Sequence, residues 1–253
     1  MIVRDDGVWY WFITQPDHAA LAGRLMAAWQ ADGLPERATR PAVLHATSRH
    51  DTGWAEVDAA PSVHPDTGRP VDFVTAETGV RQAVWGRAVD ELASESTYAA
   101  ALIAQHALTI YRRFRQESEW QVFFAAMESA RDHWFSTDRR LDGTRGGALD
   151  PPLHGRLTFL QDYATLRLGD LLSLSFCLGI GTTEQADGYE VTSDGTKVIV
   201  SPDPFAGQTV ALEVHARRLP TQRFASDAAL RAALAGAEPV TLTGVAEGRP
   251  LQP

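Results

Sequence analysis

The sequence predicts an α+β fold with a mainly α-helical body and a small antiparallel β-sheet. Apolar residues recur at helical spacing along most of residues 14–182. Alternation with a period of two is confined to residues 1–13 and 188–246, together with Asp-Gly turn signals. Helices and strands that are separated along a chain in this way are typical of α+β proteins. We therefore expect a single domain over residues 1–253, in which the two terminal segments join in one sheet beside the helices.

The first segment predicts a β-hairpin that leads into a helix. The runs "MIV" and "VWYWFI" flank an Asp-Gly signal at residues 6–7, which favours a hairpin over residues 2–13. Thr14 and Asp17 form a capping pattern in "TQPD", so a helix begins at this point. Gly33 ends that helix, since glycine is a common stop signal.

Helical periodicity predicts further helices before the sheet. Their expected ranges are 41–51, 77–94, 97–117, 119–137 and 153–179. The polar segment 55–75 is expected to be an ordered loop at the mouth of a site, because long loops in compact domains are often functional. A glycine-rich loop is expected over residues 136–152.

From residue 188 onward the pattern predicts short strands. "GYEVTS" and "KVIVSP" form a hairpin around the Asp-Gly pair at 194–195, and "QTVALEVHARRLP" alternates as a strand. A short capped helix at 225–237 precedes a final strand at 238–245. This sheet either covers the helical body or forms a dimer interface, so a homodimer stays open.

The composition excludes several classes of partner. The net charge of −9 argues against a nucleic-acid backbone or an anionic membrane. Cys177 is the only cysteine, which excludes an intrachain disulfide and a Cys-based zinc site. No apolar run approaches the ~18 residues of a membrane span, and the first residues lack a signal-peptide pattern. We expect a cytoplasmic protein that acts on a small molecule.

Polar side chains on apolar helices are the main chemical signal. His106 lies within "YAAALIAQHALTI" and Asp170 within "LRLGDLLSL". A polar group on such a face costs free energy unless it is paired, solvated or bound to a metal, so these two residues are expected to share a partner. His50 and Asp51 stand side by side where a helix is predicted to end. They are either a solvated helix terminus or half of a metal site.

Together with His18, these residues resemble a known ligand pattern. His18 in the first helix, the "HD" doublet at 50–51 and Asp170 resemble the HD-domain metal-dependent phosphohydrolase superfamily. The resemblance implies an HD-like helical bundle that binds metal through His18, His50, Asp51 and Asp170. His106 would then match the additional histidine of members that hold a second metal. The stretches "ITQPDHAALAG", "HDTGW", "DTGRPVDF" and "HALTIYRR" are more closely similar to an uncharacterised bacterial family of unknown function, over most of the chain.

The resemblance implies a metal-dependent hydrolase of a phosphate ester or a nucleotide. Imidazole and carboxylate ligands suit a divalent ion, with Mn, Fe, Co, Ni, Zn and Mg all open and with one or two ions. Such an ion activates water and polarises a phosphoryl group. Asp51 and His106 are the candidate catalytic residues, and a small phosphorylated substrate is the expected partner.

Three other side chains compete for a place in this site. Asp162 competes with Asp170 because it lies eight residues upstream on about the same helical face. His45 is off the face of His50, so a structural role, or a role in supporting a ligand, is favoured for it. His64 lies in the polar loop, from which it could reach a substrate.

The chain departs from the superfamily in the residues after the doublet. Many such phosphohydrolases place a cation there to contact the substrate phosphate, whereas Thr52, Gly53 and Trp54 follow here. The charge could come from elsewhere, and the candidates are Arg49, Arg69 and Arg167. A non-catalytic binding module for a small molecule or a protein, with a degenerate site, is therefore the alternative function. An oxygenase with the same ligands on a di-iron centre is a third reading.

Overall fold

The computed structural model describes residues 1–137, 155–179 and 181–250. The loop expected over residues 136–152 falls mostly outside this range. The expected N-terminal hairpin is present as two antiparallel strands, β1 (Ile2–Asp5) and β2 (Trp9–Ile13). Asp6 closes its turn by accepting hydrogen bonds from the amides of Val8 and Trp9. The local turn chemistry therefore sets this hairpin.

The helices follow in the expected order, except that a short helix begins the segment 55–75 that was expected to be a loop. They are α1 (Gln15–Ala27), α2 (Arg40–Arg49), α3 (Ala55–Ala59), α4 (Thr78–Ala93), α5 (Thr97–Ile110), α6 (Gln121–Thr137) and α7 (Arg156–Leu178). Helix α1 begins where expected, because the Thr14 side chain accepts a hydrogen bond from the amide of Asp17. Helix α5 ends at Ile110 instead of residue 117, and two short 3-10 turns follow it. Within the described part of the chain, no helix has the length and apolar character needed to cross a membrane.

A seven-stranded mixed sheet forms the C-terminal part of the fold together with the N-terminal hairpin. Its remaining strands are β3 (Thr182–Ala186), β4 (Tyr189–Ser193), β5 (Lys197–Ser201), β6 (Thr209–Pro220) and β7 (Pro239–Gly248). Helix α8 (Asp227–Gly236) connects β6 to β7. The strand order is β1-β2-β6-β7-β5-β4-β3, and the sheet curves into a half-barrel. Strand β2 pairs with β6, so the hairpin joins the C-terminal strands.

The expectation of a mainly helical, HD-like bundle with a small antiparallel sheet is wrong. The sheet is large and mixed, since β5 and β7 run parallel while the other neighbours are antiparallel. Strand β3 was not expected because its sequence, "TTEQA", has no apolar alternation. The parallel pairing joins residues 197–200 to residues 245–248, and alternation within a strand carries no information about such distant partners.

Three hydrophobic clusters hold the helices and the sheet of the described residues together, and two of them include residues of α7. One joins α4, α5 and α6 to the N-terminal half of α7, and Trp54 is buried in it. The other lies between α1, α7 and the sheet, and it includes Leu21, Leu172 and Val198. Helix α7 contributes to both clusters because its 23 residues run the length of the helical layer. The middle of α7 is therefore fixed from two sides, and Asp170 lies there.

Candidate metal centre

Helices α1, α2, α5 and α7 bring five polar side chains to one point. His18 lies in the first turn of α1, and His50 is the residue at which α2 ends. Asp51 follows directly and begins the 3-10 turn Thr52–Trp54. His106 lies on α5 and Asp170 on α7. Residues that are up to 152 positions apart in the sequence are thus neighbours in the fold.

Two glycines allow the elements of this centre to pack closely. A Cβ atom on Gly169 would lie 2.8 Å from side-chain atoms of both Met26 on α1 and Thr47 on α2. A Cβ atom on Gly53 would lie 1.8 Å from the carbonyl oxygen of Val84 on α4. Since no larger residue fits without displacing a neighbour, glycine is required at both positions. Gly169 directly precedes Asp170, so the close approach of α7 places this carboxylate between the histidines.

The donor atoms of the five side chains lie at contact distances. Asp170 Oδ1 is 3.0 Å from His18 Nε2 and 3.3 Å from His50 Nε2. Its other oxygen, Oδ2, is 3.3 Å from His106 Nε2. Asp51 Oδ2 is 3.4 Å from His50 Nε2 and 3.7 Å from His18 Nε2. All three imidazoles therefore point their Nε2 atoms towards carboxylate oxygens.

The centre is buried and contains polar atoms without partners. His18, His50 and His106 are 1–2% exposed, and the side chains of Asp51 and Asp170 are 9% and 19% exposed. Within the described residues, His50 Nε2 and both ring nitrogens of His106 have no hydrogen-bond partner. A buried polar atom of this kind costs free energy unless something satisfies it. A metal ion or another bound group could satisfy these atoms.

His50 has a defined tautomer. Its Nδ1 lies 2.8 Å from the carbonyl oxygen of Thr47, so Nδ1 carries the proton and donates it to that oxygen. In the neutral ring Nε2 then presents a lone pair towards Asp51 and Asp170. Metal-binding histidines are commonly held in this way, with the second nitrogen donating to a backbone carbonyl.

The carboxylates and imidazoles shift each other's proton affinity. Burial alone lowers the pKa of His50, but the charges of Asp51 and Asp170 outweigh it and raise this pKa well above its ordinary value. Burial alone raises the pKa of Asp170, but His106, His18 and His50 outweigh it and hold this pKa well below its ordinary value. Without a metal, the centre therefore holds a charged carboxylate and a protonated imidazole.

The spacing of these donors fits a divalent ion. Two ligands that are about 2.1 Å from one ion lie about 3.0 Å apart at a right angle and about 3.4 Å apart at a tetrahedral angle. The five distances above fall in or near this range. Two groups of side chains, His18-His50-Asp51 and His50-His106-Asp170, each place their donor atoms within 4.8 Å of one another. These buried His and Asp groups could hold a metal ion.

The competing acid, Asp162, lies outside the centre. It is fully buried, where it accepts hydrogen bonds from Arg37 at 2.7 Å and from the Tyr98 hydroxyl at 2.5 Å. His45 also lies apart, since it pairs with Glu95 at 2.9 Å on the outer side of α2. Sequence spacing could not separate Asp162 from Asp170, because positions eight residues apart on a helix have nearly the same orientation.

The polar loop does not bring His64 into the centre. Arg69 in this loop pairs with Asp5 of β1 at 2.6 Å, and the amide of Phe73 donates to the carbonyl oxygen of Met1. The loop therefore packs against the N-terminal hairpin. His64 uses its amide to bond the carbonyl of Arg69, which holds the loop closed on itself.

Each arginine that could supply a phosphate-binding charge is paired with an acid. Arg49 pairs with Glu91, Arg69 with Asp5 and Arg167 with Asp187. Of the three, only Arg167 shares a helix face with a ligand, since it lies three residues before Asp170 on α7. Trp54, which stands where a cation was sought, is 3% exposed in the hydrophobic core.

Sequence reasoning missed one polar side chain beside the ligands. The Tyr163 ring lies 6.0 Å from the His106 ring, and the residue is 8% exposed. Burial raises the pKa of Tyr163 to about 12, so its hydroxyl keeps its proton at neutral pH. A signal was present in the spacing, because 163, 167 and 170 fall on one face of a helix. It was overlooked because tyrosine on an amphipathic helix is ordinarily a core residue.

The comparisons with known proteins identify a family without an activity. A family model described as "Protein of unknown function (DUF3891)" matches residues 1–221. No curated protein and no solved structure matches the chain. The matched range includes His18, His50, Asp51, His106 and Asp170, so the complete centre lies inside it.

Proposed function

The chain belongs to the DUF3891 family, whose description gives no function, and we propose from its buried centre that it is a metal-dependent hydrolase of phosphate esters or nucleotides. Membership agrees with the similarity to an uncharacterised family that the sequence stretches indicated. The ligand set resembles that of HD-domain phosphohydrolases, although the fold around it is not the expected bundle. The proposal therefore depends on the chemistry of the centre.

One observation carries the proposal. Three buried imidazoles and two carboxylates face one another at 3.0–3.7 Å, and His50 Nε2 has no hydrogen-bond partner among the described residues. Burying such a cluster in a hydrophobic core costs free energy, because each polar atom loses its hydration there. Nitrogen and oxygen donors of this kind suit first-row divalent ions.

We infer that the centre holds one ion. The two candidate groups, His18-His50-Asp51 and His50-His106-Asp170, share the Nε2 atom of His50. One lone pair binds one ion, and Nδ1 of the same ring is occupied by the Thr47 carbonyl. Two ions would therefore compete for His50. A single ion among all five side chains avoids this competition.

The reaction adds water across a phosphorus–oxygen bond. A divalent ion held by these side chains would supply Lewis acidity for the activation of water and the polarisation of the phosphoryl group. The Asp51 carboxylate accepts the proton that the attacking water loses, while the leaving oxygen of the substrate gains a proton. His106, whose Nε2 lies 3.3 Å from Asp170 Oδ2, would hold the ion together with Asp170. The Trp85 ring packs against the His106 ring with centroids 5.6 Å apart and excludes bulk water from that side.

Metal analysis of untagged protein tests the centre. We expect about one divalent ion per chain, retained through purification and lost in the double variant His50→Ala/Asp51→Ala. His45→Ala is the matched control, because His45 lies on the same helix but pairs with Glu95 outside the centre. A double variant that binds metal as well as the wild type would sink the ligand assignment.

Turnover of generic substrates tests the reaction. Phosphomonoesters, phosphodiesters and nucleotides are assayed with the metal-loaded protein, and we expect hydrolysis of at least one class that Asp51→Asn abolishes. The non-catalytic binding module is the second candidate, and it is favoured by the pairing of Arg49, Arg69 and Arg167 with acids. Bound metal without turnover of any class would support that candidate. Iron content with oxygen consumption would instead identify an oxygenase.

A further inference from the structure

We propose that Tyr163 and Arg167 form the subsite that binds the phosphoryl group of the substrate, next to the metal centre. This inference rests on the proposed function and names residues that recognise the substrate. Tyr163, Arg167 and Asp170 are spaced by four and then three residues on α7, so they form one stripe along the helix. In this stripe Arg167 lies one turn from the proposed ligand Asp170, and Tyr163 lies a further turn towards the N-terminus of α7.

The stripe lies on the side from which solvent reaches the centre. Asp170 is the most exposed of the five ligands, at 19% of its side chain, whereas the histidines are 1–2% exposed. The next turn of α7 towards its N-terminus presents Arg167, which is 38% exposed. A substrate that approaches along this side therefore meets Arg167 first and the ligands afterwards.

Tyr163 provides an unpartnered donor inside this approach. It is 8% exposed, and its hydroxyl has no hydrogen-bond partner within the described residues. Its ring lies 6.0 Å from that of His106. Burial and the charges of Asp170 and Asp187 raise the pKa of this hydroxyl, while the Thr109 side chain and the charge of Arg167 lower it. A buried hydroxyl without a partner is rare unless a ligand or water completes it. A phosphoryl oxygen is an acceptor of the required kind.

Asp187 holds the guanidinium of Arg167 but leaves part of it free. Arg167 Nε donates to Asp187 Oδ2 at 2.9 Å, and Nη2 donates to Oδ1. Asp187 lies in a tight turn between β3 and β4, where it and Gly188 both have positive φ, so its position is well defined. Guanidinium has five N–H donors, and among the described residues no acceptor contacts Nη1. The free edge suits two oxygens of a phosphate.

The other paired arginines do not offer this geometry. Arg49 pairs with Glu91 and Arg69 pairs with Asp5 on the outer surface. Neither arginine shares an inward-facing side of its helix or loop with a proposed ligand. Arg69 is 57% exposed on a loop that packs against the hairpin. It therefore provides a matched control that removes an ion-paired arginine without touching the subsite.

Calorimetric titration of inorganic phosphate into the metal-loaded protein tests the subsite. We expect Arg167→Gln to raise the Kd for phosphate by about 10–100-fold, which is the usual loss for a hydrogen bond to a charged group. Tyr163→Phe should raise it by about 5–10-fold. Arg69→Gln should leave it unchanged. Arg167→Lys keeps the positive charge but lacks the planar guanidinium that can donate two parallel hydrogen bonds. The Kd of this variant for phosphate should therefore lie between those of the wild type and Arg167→Gln.

Metal affinity, measured on the same variants, separates the two proposals. It should stay within about twofold of the wild type in Arg167→Gln and Tyr163→Phe, because neither side chain is a ligand. A wild-type protein that binds no metal overturns the proposed function and this inference with it. A protein that binds metal but binds phosphate equally well in both variants, or binds none, overturns the subsite alone. Weaker phosphate binding that merely follows a loss of metal also contradicts it.

Discussion

Under the proposed function, His50 is the residue at which a proton and a metal ion would compete. Its Nδ1 proton is held by the Thr47 carbonyl, so the second proton of the imidazolium must be on Nε2. The neighbouring carboxylates raise the pKa of this imidazole well above its ordinary value of 6.5, so the metal-free protein carries that proton at neutral pH. An ion that binds Nε2 must displace it.

Metal binding should therefore release a proton at pH 7, and the metal affinity should fall as the pH is lowered. Below the pKa of His50 we expect a loss of about tenfold per pH unit for each proton displaced. Titration calorimetry in two buffers with different ionisation heats measures the number of protons. Identical heats in both buffers would contradict the assignment of His50 as a ligand.

The same two pKa shifts determine how the metal-free fold responds to pH. The raised pKa of His50 stabilises the fold below 6.5, and this contribution is lost as the pH rises through the folded-state pKa. The lowered pKa of Asp170 stabilises the fold above 3.8 and is lost as the pH falls. In the presence of a chelator, the difference in unfolding free energy between wild type and His50→Gln should be largest from pH 3.8 to 6.5. A difference in unfolding free energy that grows towards pH 9 would contradict the raised pKa of His50.

The two aspartates of α7 should respond in opposite ways to the loss of their charge. Asp170→Asn should reduce metal affinity by about 100-fold or more, because the charged carboxylate that contacts all three histidines is removed as a ligand. Asp162→Asn should leave metal affinity nearly unchanged but lower the free energy of unfolding by about 3–5 kcal/mol, since Arg37 loses its buried partner. Metal titration and urea unfolding of both variants measure the contrast. An equal loss of metal affinity in the two variants would contradict the placement of Asp162 outside the centre.

Close packing between helices sets the geometry of the candidate ligands. Gly169 lets α7 approach α1 and α2, where a Cβ atom would come within 2.8 Å of Met26 and Thr47. Thr47 cannot easily yield, because its β-branched side chain is restricted at χ1 and its carbonyl orients His50. The backbone of α7 would have to move, and Asp170 would move with it.

Gly169→Ala should destabilise the fold and weaken metal binding together. We expect a loss of about 1–3 kcal/mol in unfolding free energy, as is usual for overpacking, and a metal affinity at least tenfold weaker. The matched control is Gly86→Ala on α4, where a Cβ atom meets nothing within 4 Å. This control should stabilise the protein by up to about 1 kcal/mol, because alanine favours a helix. Destabilisation of the same size in both variants would contradict the packing argument.

The helices could be predicted far better than the sheet. Apolar spacing located α4 and α6 to within a few residues, and the capping pair Thr14 and Asp17 located the start of α1. Strand β3 has mostly exposed, polar residues, so its sequence carries no alternation. The position of β7 between β5 and β6 results from pairing between distant segments, which local pattern does not specify.

The centre joins four helices of the fold, so a bound ion should stabilise the entire molecule. An ion that binds only the folded chain adds about 2.7 kcal/mol at a hundredfold excess over its Kd. For a chain of this length, that corresponds to a rise in Tm of about 5–10 °C. Thermal unfolding with and without added Mn²⁺, Co²⁺, Ni²⁺ or Zn²⁺ measures it, and a chelator should reverse the rise. The variant His50→Ala/Asp51→Ala should show no rise, whereas His45→Ala should respond as the wild type does. No rise with any ion in the wild type would count against the centre.

The sequence by itself determined the local elements and the need for a polar partner. Helix periodicity, caps and turn residues act over a few positions, so the N-terminal hairpin and α1 could be predicted from them. A histidine and an aspartate on apolar helices also had to find partners, because burial without one is costly. That reasoning proposed the five side chains, and the fold places them at contact distance.

Only the tertiary structure distinguished between residues that have the same local sequence pattern. Asp162 and Asp170 have the same helical orientation, yet one contacts Arg37 and the other contacts the histidines. Spacing puts Arg167 on one face of α7 with Tyr163 and Asp170, but only packing brings Asp170 on this face into contact with three histidines. The curved mixed sheet likewise depends on pairing between remote strands. The physical reason is the same in all three cases. Long-range packing decides which groups come into contact, and the spacing of residues along the chain does not specify that packing.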